Sequence, residues 1–213
     1  VIEEKEQLFE LSVEYIDYKK PDTYWRMINS HIESTALAHY FSFKADIPKL
    51  ELDPSSEYFR PVEFQLKTEE FYCRGEFVSL QYYVYFDMGG AHGNYRTLTS
   101  NFFGSRHGKI SIQDLLGNDD EKAAKLLSYC LKVVEAGLDE PEPVDWMVEL
   151  NDTPAVWSVL ANFNFDNRGL TFNFSPYDIL YYAAGSYEVN MPWQIASNYL
   201  TKEYLEPWRK SEL

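Results

Sequence analysis

Cysteine and histidine are scarce in this sequence, with two and four copies in 213 residues, and no apolar run approaches the about 20 residues needed to span a bilayer. Cys73 and Cys130 lie too far apart for a CxxC redox or zinc motif. Cys73 falls on an expected strand and Cys130 on the apolar face of an expected helix, where a thiol behaves as a small hydrophobe. The two are expected to be unbridged, since even an oxidising compartment joins only thiols whose Cα atoms lie close together. His31 and His39 are eight residues apart and lack the HExxH arrangement. Glu69-Glu70 and Asp119-Asp120 lack the alternating oxygen donors of a calcium loop and read as solvated or helix-start charges. A Walker loop, a dinucleotide fingerprint and a GxSxG elbow are all missing, so the sequence implies no catalytic residue, no metal and no cofactor.

Basic residues are also few. Lys and Arg total 19 against 34 Asp and Glu, a formal charge of −15, which disfavours nucleic acid and anionic lipid. Two readings of that charge stand: a solubilising surface, or recognition of a basic partner. The sequence begins at Val1 rather than Met, so a processed or trimmed form is expected, with any membrane anchor ahead of it.

What is abundant is aromatic and alternating. Residues 8–18 set Phe9, Leu11, Val13 and Tyr15 against polar neighbours, the period of a half-buried strand. Asp22 is placed to cap a helix whose Trp25, Ile28, Ile32, Ala36 and Tyr40 form one stripe, and Pro48 and Pro54 mark an irregular connection after it. Val62, Phe64 and Leu66 open more strand, and the run from Phe71 to Phe86 puts Val78, Leu80, Tyr82, Val84 and Phe86 on one face. The segment Gly89 to Gly93 predicts a turn, and Tyr95 to Phe103 its returning strand.

Further on, acidic Asp119, Asp120 and Glu121 precede a helix expected over 120–136, with Ala123, Leu126, Leu127, Cys130, Leu131 and Val134 inward and Gly137 at its exit. A second hairpin is expected from Trp157, Val159, Ala161, Phe163 and Phe165, across Asp166-Asn167-Arg168-Gly169, to Leu170, Phe172 and Phe174. Val189 and Met191 suggest one more strand, and Ile195 to Leu205 a closing helix. Hairpins with segregated helices predict an α+β fold, an antiparallel sheet with helices packed against it.

His92 is the one candidate for acid, base or ligand chemistry, though it lacks a partnered nucleophile in sequence and reads more simply as a residue that orients its turn. His107, within Gly104-Ser105-Arg106-His107-Gly108, reads as another turn residue. Tyrosine joins a rigid apolar ring to a polar tip and suits interfaces, and Tyr95, Tyr177, Tyr181, Tyr182 and Tyr187 join His92 as candidate ligand-binding residues. Gly89, Gly90, Gly93, Gly169 and Gly185 are the candidate turn residues.

Two segments, Gly89-Gly90-Ala91-His92-Gly93 and Gly169-Leu170-Thr171-Phe172-Asn173-Phe174-Ser175-Pro176-Tyr177 running on to Ala183-Ala184-Gly185 and Val189-Asn190-Met191-Pro192, together resemble the DUF3298 family. The resemblance implies one compact unit over 1–213, with a DUF4163-like portion over 1–88 and a DUF3298-like portion over 89–213. It further implies an exported protein of the bacterial envelope, periplasmic or at the cell surface, as a lipoprotein or otherwise, similar to the sensing domain of lysozyme-binding anti-sigma factors. The partner so implied is a cationic protein such as lysozyme, or peptidoglycan fragments. A peptidoglycan-modifying enzyme or accessory domain, by likeness to regions beside deacetylases, and a purely structural lipoprotein domain are the competing implications.

Overall fold

Asp22 begins the first helix as expected: its side chain accepts the Trp25 N–H at 3.1 Å and satisfies one of the donors that a helix start leaves open. In the computed structural model, which describes residues 1–138 and 146–205, that helix is α1 (Thr23–Asp46), with Trp25, Ile28, Ile32, Ala36, Tyr40 and Phe43 buried along one stripe. The fold is α+β, with six helices, a six-stranded sheet and a three-stranded antiparallel sheet among the described residues. The larger sheet runs β1 (Ile2–Lys5), β2 (Phe9–Glu14), β3 (Val62–Arg74), β4 (Phe77–Asp87), β5 (Asn94–Phe103) and β6 (Lys109–Ile110), in that order. The smaller is β7 (Phe163–Phe165), β8 (Gly169–Phe174) and β9 (Tyr187–Pro192).

The chain divides into two compact units, one of residues 1–70 and 81–98, the other of residues 71–80 and 99–213, so the divisions fall within β3, β4 and β5. In the first unit β1 and β2 pair antiparallel, while β2 and β3 pair parallel, with Leu11 opposite Phe64. The hairpin pattern of the sequence does not extend to that pair: α1 is the crossover that a parallel connection requires. Alternation puts Phe9, Leu11, Val13, Val62, Phe64 and Leu66 inward, and the rings of Phe43 and Phe64 meet at 5.2 Å. The expected glycine turn joins β4 and β5, which are neighbours in the sheet. Within β4, Val78, Leu80, Tyr82 and Val84 are buried as expected, whereas Phe86 is half-buried.

In the second unit α2 (Gly104–His107) is a single turn and α3 (Ile112–Leu116) a short capped helix, followed by α4 (Asp120–Glu135). The Asp119 side chain caps α4 by accepting the Lys122 N–H at 3.0 Å, and the inward stripe is the expected one from Ala123 to Val134. Trp157, Val159 and Ala161 depart from expectation, for α5 (Thr153–Leu160) is helical where a strand was read. Asp152 accepts the Ala155 N–H at 3.2 Å, Pro154 fits the first turn, and Val156 and Leu160 bury one helical turn apart, so the capping signal overrides a coincidental alternation. The closing helix is also shorter than expected: α6 is only Trp193–Ala196, and helix resumes at residue 202 after a turn.

A relay of buried side-chain hydrogen bonds fixes how these strands meet. Asn173 donates to Asn164 Oδ1 (2.9 Å), Asn164 to Ser79 Oγ (2.7 Å) and Leu80 O (3.1 Å), Ser79 to Asn101 Oδ1 (2.7 Å), and Asn101 to Phe163 O (2.7 Å). All four side chains are buried, with Asn164 and Ser79 fully enclosed. Such groups are tolerated inside a core only when their hydrogen-bonding capacity is used.

Cys73 and Cys130 both carry the thiol rather than a disulfide. Burial pushes the Cys130 thiol pKa up, which disfavours the reactive thiolate. Titration of the unfolded, non-reduced protein with a thiol reagent is therefore expected to find both thiols, and Cys130 to stay unlabelled in the native protein. A monomer without titratable thiol would contradict the fold at these positions.

Candidate functional site

The second unit presents a loop built around Ser175-Pro176-Tyr177-Asp178. Pro176 sets the second position of a tight turn, the Asp178 N–H donates to Ser175 O at 3.0 Å, and the Asp178 side chain accepts the Ser175 N–H at 2.7 Å. The third position of this turn, a type II turn by these features, needs positive φ and is normally glycine or asparagine. Here it is Tyr177 at φ 72°. A side chain in that region costs about 1–2 kcal/mol, so the ring is held where its own backbone preference would not put it.

Ile179 and Leu180 anchor the loop in the core, at 1% and 4% exposure, while Tyr177 and Tyr181 stand outward at 51% and 63%. The Tyr177 N–H donates to Leu180 O at 3.0 Å, and the Tyr177 and Tyr182 rings lie 5.6 Å apart. Of the tyrosines singled out in the sequence, the structure thus gathers Tyr177, Tyr181 and Tyr182 on one loop. Gly185 closes it at φ 79°. Tyr187 is on β9 opposite Phe174, half-buried against the core.

His92 and Tyr95 belong to the first unit. His92 is exposed in its turn, with Nδ1 at 3.0 Å from Gly93 O, where it donates to that carbonyl. Tyr95 is exposed on β5. Gly89 takes φ 85°, and Gly93 leaves room for the Tyr85 side chain, whose hydroxyl a Cβ there would meet at 2.3 Å and whose ring at 2.6 Å. His39 is held below its ordinary pKa by burial and by the nearby Arg96 charge. Among the described residues no group of three or more His, Cys, Asp or Glu could hold a metal ion, and no helix is long and apolar enough to cross a membrane.

A cleft of about 90 Å³ opens beside the β7–β8 turn, lined by Asp166, Arg168, Thr171, Asn190 and their neighbours. Its carboxylate is fully engaged. Asp166 Oδ1 accepts the N–H groups of Arg168 (2.7 Å) and Gly169 (3.1 Å), and Oδ2 accepts from the Arg168 guanidinium at 2.8 and 2.7 Å. Trp193 Nε1 donates to Asp166 O at 2.9 Å, and Thr171 to Asn190 Oδ1 at 2.8 Å. These contacts make Asp166 a clasp for the hairpin, and the volume is well below the roughly 300–1,000 Å³ of small-molecule pockets.

Sequence reasoning did not find the buried relay or the strained turn position. A signal for each was present: the paired triplets Phe163-Asn164-Phe165 and Phe172-Asn173-Phe174 repeat a polar residue between large apolar ones, and Ser-Pro-Tyr-Asp has the composition of a turn. Met147 and Leu150, both exposed, were also missed; Met147 meets the tyrosine loop only through space, where its N–H donates to Ile179 O at 3.0 Å.

Residues 113–194 match the model of DUF3298, a family described as of unknown function. That span holds the tyrosine loop, the cleft, and Asn164 and Asn173 of the relay. A solved structure of a DUF3298 family member from Bacteroides fragilis is similar at 16% identity, covering 90% of this chain and 75% of its own, with a TM-score of 0.55. A DUF3298 family protein from Pseudomonas aeruginosa is similar at 16% identity, covering 84% and 80%, with a TM-score of 0.59. At these identities the likeness is one of fold. No curated protein sequence matches the chain.

Proposed function

We propose that this chain, whose residues 113–194 match the DUF3298 model, is an exported binding domain of the bacterial envelope that recognises its ligand without transforming it. The observation that carries this reading is the tyrosine loop, whose core-anchored Ile179 and Leu180 hold the exposed Tyr177 and Tyr181 rings in place before any ligand arrives. Preorganised aromatic rings lose little freedom on binding, the property of an interaction surface. The charge of −15 favours a cationic ligand, a muramidase such as lysozyme before an anionic peptidoglycan fragment.

Calorimetry against lysozyme, at low and at physiological salt and beside an unrelated acidic protein, is expected to show binding that weakens as salt rises. Peptidoglycan incubated with the protein is expected to release neither sugar nor acetate. Binding no stronger than the control's would remove the lysozyme reading. Turnover lost in a folded His92→Ala variant would make the protein an enzyme.

A further inference from the structure

We infer that Met147, Leu150, Tyr177 and Tyr181 form one docking surface for a basic protein segment, one that presents lysine or arginine side chains. The inference rests on the binding reading above and adds the surface that would carry it. Proximity comes first: the Met147 N–H donates to Ile179 O at 3.0 Å, which sets the 147–150 turn beside the tyrosine loop. Exposure comes second. Met147 is 55% and Leu150 41% exposed, close to the values of the two tyrosines, although each flanks an enclosed residue, Val148 in one segment and Ile179 and Leu180 in the other. Grouped apolar side chains left in water on a rigid support mark an interaction surface more often than scattered ones do.

Charge names the partner. Residues 146–152 and 173–192, the two segments that supply the surface, contain Glu149, Asp152, Asp178 and Glu188 and not one lysine or arginine. A lysine or arginine that reaches this face finds tyrosine rings for cation–π contact, the polarisable Met147 thioether for its aliphatic stem, and carboxylates for its charge. A glycan fragment bearing peptide carboxylates meets like charge here, and so does a second copy of this acidic chain.

Tyr177 makes the inference separable from a structural role. Its αL backbone suits asparagine better than tyrosine, so Tyr177→Asn removes the ring while easing the turn. The wild type, Tyr177→Asn, Tyr181→Phe and the double variant Met147→Ser/Tyr181→Ser are titrated with lysozyme, cytochrome c and a deca-arginine peptide at about 50 mM salt, with a muropeptide and an acidic protein alongside. At least one basic probe is expected to bind the wild type. The double variant is expected to lose about tenfold or more in affinity and Tyr177→Asn about fivefold, with Tyr181→Phe near wild type. The melting temperature of Tyr177→Asn is expected to be unchanged or raised. If no basic probe binds the wild type above the acidic control, the binding reading itself fails. If a basic probe binds all variants equally, that reading stands and this surface is overturned. Loss of muropeptide binding alone, or of self-association in sedimentation, would overturn the partner class.

Discussion

Replacing Asn164 with leucine is expected to destabilise the protein by about 4–6 kcal/mol, a large share of the roughly 5–15 kcal/mol that holds a domain folded. Leucine matches the branched shape of asparagine but is larger, so crowding adds to a loss that comes chiefly from hydrogen bonds. Asn164 donates to Ser79 Oγ and Leu80 O and accepts from Asn173, all in the absence of solvent. Each lost bond costs about 1 kcal/mol, and taking the acceptor from the buried Asn173 amide adds a desolvation penalty of about 1–3 kcal/mol. Urea denaturation measures the loss, with exposed Asn198→Leu expected to stay within about 0.5 kcal/mol of wild type. The double variant Asn164→Leu/Asn173→Leu is expected to cost less than the two single losses added, since each single change already breaks their shared bond. A loss below about 1 kcal/mol for Asn164→Leu would show that the relay contributes little.

Gly169→Ala is expected to be severe as well, costing about 3 kcal/mol or more. An added Cβ would sit 2.0 Å from Met191 O, 2.9 Å from Met191 C and 3.0 Å from Pro192 Cα, all backbone atoms that cannot rotate aside. Gly169 lies opposite Pro192 where β8 begins, so relief requires the β8–β9 pairing to open at this end. That end also carries the Asp166 clasp and the Trp193 bond to Asp166 O. The expected result is a lowered melting temperature and a tryptophan fluorescence transition shifted to lower urea. By contrast Gly90→Ala, where a Cβ meets open space, is expected to leave stability nearly unchanged. Equal stability of the two variants would refute the close approach at residue 169.

These two positions show what is legible in the sequence and what is not. Helices with a cap and a clean apolar stripe, such as those following Asp22 and Asp119, could be read directly because both signals lie within the helix itself. Residues 157–161 were misread as strand because apolar residues two apart fit either period over so short a run, and the deciding Asp152 and Pro154 lie just upstream. The parallel pairing of β2 with β3 leaves no mark in either strand alone, since both alternate as antiparallel strands do. Gly169 reads in the sequence as a turn residue and is the first residue of β8, and the atom that demands glycine, Met191 O, lies 22 positions later in the chain. The tyrosines were singled out by composition, but the bond from the Met147 N–H to Ile179 O, on which the proposed docking surface rests, is visible only in the tertiary structure.

The bond between Ser79 and Asn164 spans 85 residues. During synthesis at about 5–20 residues per second, the Ser79 hydroxyl emerges roughly 4–17 s before the amide that will satisfy it. The first unit is complete in sequence once residue 98 has been made, whereas the second needs residues 71–80 together with everything from 99 onward. The order of manufacture therefore lets the first unit close early and leaves one end of the β3–β4 hairpin waiting on the ribosome's later output. A long wait with uncovered apolar strand is the condition under which chaperones are recruited and chains aggregate. Slowing elongation between residues 99 and 164 prolongs that interval and should lower the soluble yield.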